Sequence, residues 1–79
     1  MPRMSLTLLL SALRAEIAAA EHRAAERATA VTARLRGGED SAEAERALFG
    51  ELDRLALLRQ RLCALKAMQP ASPASLKAA

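Results

Sequence analysis

Arg34-Leu35-Arg36-Gly37-Gly38-Glu39-Asp40-Ser41 decides the fold of this chain. Between Pro2 and Pro70 it is the only place where two helix-breaking residues stand together. On either side, apolar residues recur at steps of three and four, the period of an α-helix with one buried face. A connection of only a few residues between two such segments forces them to lie side by side and antiparallel. The spacing predicts helix one over about 4–36, a turn at 37–40 and helix two over about 41–68. The fold class is therefore all-α, a two-helix hairpin of coiled-coil type.

The turn carries its own chemistry. Gly37 and Gly38 suit the end of a helix because glycine adopts positive φ without a Cβ clash. Asp40 fits an N-cap, and Glu43 three residues on fits the reciprocal partner of a capping box. Arg34 and Arg36 close helix one, where cations favour the helix dipole, and Glu39, Asp40, Glu43 and Glu45 open helix two, where anions do.

On helix one the predicted stripe is Leu6, Leu10, Leu13, Ile17, Ala20, Ala24, Ala28, Val31 and Leu35. It forms the intramolecular seam, rich in Leu and Ile up to Ile17 and almost pure Ala to Ala28. Small side chains there let the opposing backbone come close. The pairs Leu13/Ala24, Ile17/Ala28, Ala20/Val31 and Ala24/Leu35 are spaced by eleven, which points to straight or slightly right-handed packing rather than a heptad supercoil.

Helix two has a wider apolar arc. Leu48, Leu55 and Leu62 repeat by seven, as do Phe49, Ala56 and Cys63, with Leu52, Leu58 and Leu65 filling in beside them. At about 100° per residue the arc spans roughly 200°, about twice what one neighbouring helix covers. Leu48, Leu52, Leu55, Leu58, Leu62 and Leu65 are accordingly the expected partner interface, and a small buried Cys63 is expected inside the arc. A chain of 79 residues has little core of its own, and oligomerisation is a usual remedy at that size.

Composition agrees. The chain is rich in Ala, Leu, Arg and Glu, with Phe49 its one aromatic and few β-branched residues. Gln69-Pro70-Ala71-Ser72-Pro73-Ala74-Ser75 ends helix two and opens a tail over 70–79 that is expected to be disordered, leaving 1–69 as the hairpin. The Leu-rich run from Leu6 to Leu13 behind Arg3 has some likeness to a secretory h-region. Polar residues interrupt it at both ends, no cleavage site follows, and it is too short to span a bilayer. The expectation is a cytoplasmic protein without membrane contact.

Formal charge is +3, unevenly spread. Arg3, Arg14, Arg54, Arg59, Arg61, Lys66 and Lys77 face Glu16 alone at the open end of the hairpin, a net +6, while residues 21–53 toward the turn are net −3. Arg59 and Lys66 fall close to the middle of the apolar arc, where their stems can cross the seam or their charges can meet acids.

Reactive constellations are missing. Glu21, His22 and Glu26 form the nearest approach to a metal or acid–base cluster, yet adjacent helical residues point about 100° apart and His22 lies away from the stripe. Ser11, Thr29 and Thr32 have no base in reach, lone Cys63 makes no disulfide framework, and Gly37-Gly38 lacks the strand and the Lys-Ser/Thr of a phosphate loop. These residues predict no enzyme, no cofactor, no metal and no small-molecule ligand. With Phe49 on the apolar arc there is no exposed stacking platform for nucleic acid either.

Arg36-Gly37-Gly38, the acids from Asp40 to Glu43, and Leu48, Leu52, Leu55, Leu58 and Leu62 resemble the YscE-like family of small co-chaperones of type III secretion needle subunits, over roughly residues 5–68. The resemblance implies a hairpin that packs on a tetratricopeptide-type chaperone, the pair shielding an aggregation-prone needle subunit. The Ala-rich middle of helix one departs from that family. The first expectation is thus a chaperone-like or assembly factor that binds a helical protein partner. The second is self-association into a four-helix bundle with a regulatory or RNA-binding role at its basic end.

Overall fold

A computed structural model describes residues 5–69 and contains two helices, α1 from Leu6–Arg36 and α2 from Ala42–Ala67, packed against each other as an antiparallel hairpin. The tail expected over 70–79 and the first residues of the chain lie outside the described region.

α1 starts at an N-cap that follows from one side chain. Ser5 is extended (φ −70°, ψ 154°), and its Oγ accepts the Leu8 N–H at 3.1 Å, satisfying a donor that the helix itself cannot. The other end closes on paired hydrogen bonds. Glu39 N–H donates to the Arg34 carbonyl at 2.9 Å and Gly38 N–H to the Leu35 carbonyl at 3.2 Å. These are the two bonds of a Schellman motif. Gly38 carries its left-handed residue with φ 68°, whereas Gly37 stays right-handed at φ −81°. An apolar contact commonly accompanies this motif. Here an ion pair links the same two residues, Arg34 Nη1 and Glu39 Oε2, at 3.4 Å.

α2 begins one residue later than expected, with Ser41 and not Asp40 at the N-cap, and Asp40 bonds the first helical N–H from outside the helix. Its Oδ1 accepts the Ala42 N–H at 3.0 Å, while Ser41 supplies only its carbonyl, to Glu45 N–H at 2.8 Å. Asp40 takes the N–H two residues on rather than three, and Glu43 makes no reciprocal bond, so the expected capping box does not form. Glu43 and Glu45 in the first turn, with Arg34 and Arg36 in the last turn of α1, complement both helix dipoles.

The core is one seam. Leu13, Ile17 and Ala20 of α1 interlock with Leu55 and Leu58 of α2, and Leu62 and Leu65 pack against that cluster. Leu10 and Ala24 extend it toward either end. Ala20 is wholly covered, as close approach of the backbones requires. The covered line on α1 follows steps of four and three through half-buried Leu6 and buried Leu10, Leu13, Ile17, Ala20 and Ala24, and resumes at half-buried Val31 past exposed Arg27. This heptad line replaces the eleven-residue one expected from the Ala positions. Ala28 and Leu35, placed on the stripe by that spacing, are exposed, Leu35 because it sits in the final turn beside the start of α2.

The matching line on α2 is Ala44, Leu48, Glu51, Leu55, Leu58, Leu62 and Leu65, also in heptad steps. Its polar member is the notable one. The Glu51 side chain is only 13% exposed, and its Oε1 accepts from Arg23 Nε at 3.0 Å with Arg27 Nε at 3.7 Å. Its Oε2 is buried and has no partner. A carboxylate held in this way costs desolvation energy that two arginines only partly return. It favours this register, because Arg23 and Arg27 stand one turn apart and a slip of one turn would leave only one of them beside the carboxylate.

Two sets of substitutions test this description. Gly38→Ala places a side chain at φ 68° and should lower stability by about 1–2 kcal/mol, whereas Gly50→Ala, with open space at the new Cβ in mid-helix, should raise it by about 0.5–1 kcal/mol. Thermal denaturation followed by circular dichroism reads both; equal midpoints would contradict the turn geometry. Glu51→Leu should leave Tm at or above that of the wild type. A fall of more than about 4 °C would show that the arginine pairing contributes net stability.

Candidate interaction surface

Once the seam is filled, several large apolar side chains remain outside it. Leu8, Leu9, Leu35, Phe49, Leu52, Leu57 and Met68 are all exposed, Phe49 at 57% and Leu52 at 43%. Helical geometry divides the hairpin into two flanks. On the first, Phe49, Leu52, Ala56 and Cys63 of α2 lie beside Ala18, Ala25 and Ala28 of α1, all exposed. The ion pair from Arg59 Nη2 to Glu21 Oε2, 3.0 Å, ties the helices together on this side. On the second flank, at the open end, Leu9, Ala12, Leu13, Glu16, Arg61, Ala64 and Leu65 line an open-sided groove of about 460 Å³.

The six leucines nominated as a partner interface are thereby split. Leu55 and Leu58 are buried in the hairpin's own core, and Leu62 and Leu65 pack against it. Leu48 is half-buried, and only Leu52 keeps a substantial solvent-facing surface. The apolar arc is wide, but its centre packs within the hairpin rather than on a partner. The seam takes the line through Leu48, Leu55 and Leu62 together with that through Leu58 and Leu65. What remains is the edge of the arc carried by Phe49, Leu52 and Ala56. Cys63 belongs to that edge and is exposed, contrary to the buried thiol expected.

Arg14, Arg54, Arg59, Arg61 and Lys66 of the basic end are all exposed. Arg59 reaches across to Glu21 of α1, so its charge is met within the chain. Midway along α1, His22 Nε2 lies 2.8 Å from Glu26 Oε1, one turn away, with both side chains mostly in solvent. Among the described residues no three His, Cys, Asp or Glu side chains gather as metal ligands, and no helix is long and apolar enough to cross a membrane. The hydroxyls of Thr29 and Thr32 donate back to the Ala25 and Ala28 carbonyls at 3.1 Å, which occupies them with helix bonding rather than chemistry.

Exposed Leu57 and Met68 went unnoticed in the sequence. The signal that finds them is their position on the flank away from Leu52, separated from the seam by Arg54 and Arg61. Chemically, the two flanks can bury apolar surface against another helix and set its direction by their charged ends. No family model, curated protein or solved structure matches this chain.

Proposed function

We propose that the protein works without catalysis, by protein–protein contact, as a chaperone-like or assembly factor whose exposed apolar flank covers and is covered by a helical partner. The observation that carries this reading is the Phe49–Leu52–Ala56 edge of α2. It is apolar, lies next to exposed alanines of α1, and belongs to a hairpin with only one seam of core. Contiguous apolar surface of that kind on a small helical protein marks an interaction site. The cytoplasm would suit this role, and in a type III secretion setting, as the YscE-like resemblance implies, the partner would be a tetratricopeptide-type chaperone. A nucleic-acid role at the basic end has weaker support, because Arg59 is already engaged by Glu21 and Phe49 is the only aromatic.

A tagged chain expressed at native level should co-purify in fixed stoichiometry with a helical protein, a second copy included. The double variant Phe49→Glu/Leu52→Glu should lose that association while keeping wild-type helix content, since both residues lie outside the core. Retention of the same partner at the same stoichiometry by the folded double variant would overturn the reading.

A further inference from the structure

We infer that the occupant of the Phe49–Leu52 flank is a second copy of this chain, laid antiparallel across a two-fold axis near Leu55 and Ala56 to complete a four-helix bundle. This rests on the reading of the flank as a protein-binding surface. The argument comes from charge and shape along α2. Glu45 lies on this flank toward the turn, and Lys66 lies on it toward the open end, with Arg14 of α1 at the same end. The midpoint of Glu45 and Lys66 falls between Leu55 and Ala56. A two-fold axis there sets Glu45 of each copy against Lys66 of the other.

The same axis relates other residues in a self-complementary way, as an isologous interface demands. Phe49 of one copy falls opposite half-buried Leu62 of the other, one residue from its small, exposed Cys63. Leu52 meets Arg59, whose guanidinium is drawn aside onto Glu21 and whose methylene stem is left to pack. Ala56 sits at the axis, where small side chains permit close approach. Parallel pairing of two hairpins would instead place Glu45 on Glu45 and Lys66 on Lys66, a like-charge arrangement at both ends.

Size-exclusion chromatography with light scattering should give twice the chain mass for the wild type, and the monomer mass for Leu52→Glu with unchanged helix content. Glu45→Lys should weaken the dimer by about tenfold or more, and Glu45→Lys/Lys66→Glu should restore it, since the swap keeps each pair opposite in sign. Direction is read by oxidation. Residues 49 and 63 are about 21 Å apart along one helix, too far for a disulfide within a chain. Phe49→Cys should therefore form a covalent dimer through Cys63 of the other copy, while wild-type Cys63 forms none.

A monomeric wild type at high micromolar concentration would overturn the inference, as would a dimer unaffected by Leu52→Glu. Ready Cys63–Cys63 linkage in the wild type would show parallel pairing and overturn it too. A monomer that still retains a different protein through Leu52 would reject the second copy while leaving the broader reading intact.

Discussion

Two helices share one interface, and this single seam governs everything else in the molecule. Leu13, Ile17, Ala20, Leu55 and Leu58 are the centre of it, and among the described residues there is no third element to add a second layer. Each helix can therefore bury one stripe and no more. An apolar residue one step off that stripe stays in water unless another protein covers it. For α2 this leaves Phe49, Leu52 and Ala56 in the open, although they are as apolar as the residues that found cover.

A seam of Leu, Ile and Ala specifies contact but not register, since heptad steps look alike one turn along. Two features remove that ambiguity. Left-handed Gly38 and the bonds from Glu39 and Gly38 back to Arg34 and Leu35 fix where α1 stops, and the Asp40 carboxylate fixes where α2 starts. Glu51, buried in the seam and held by Arg23 and Arg27, favours this pairing of layers. Its unpartnered Oε2 is the cost of that specificity. Small residues at Ala20 and Ala24 then allow the backbones to close around the polar layer.

Much of this was legible in the sequence, and the errors share a cause. Glycine pairs and capping acids are local signals, so the turn, the helix ends to within a residue or two, and the all-α hairpin could be read directly. Ser5 as a cap is legible by the same local rule, a hydroxyl directly before an apolar periodic run. Ala28 and Leu35 were misplaced because alanine crowds α1 and supports several stripes at once. The true heptad line runs through Arg27, which looks wrong for a seam until Glu51 is opposite. Cys63 and the leucines of α2 were misassigned for a different reason. Periodicity gives the width of an apolar arc, but only the packed neighbour says which part of it is taken. His22 needed no partner helix to place, and its surface position agrees with its angle from the stripe.

One seam leaves the hairpin marginal, and in the proposed assembly association through the second apolar edge adds to its stability. Thermal unfolding followed by circular dichroism across a hundredfold range of protein concentration tests that directly, because association with a second copy links stability to concentration. A midpoint that climbs with concentration is the predicted result. A cooperative transition at the same midpoint throughout would contradict it, and would mean that a second copy adds nothing to the stability the Leu13–Leu58 seam provides.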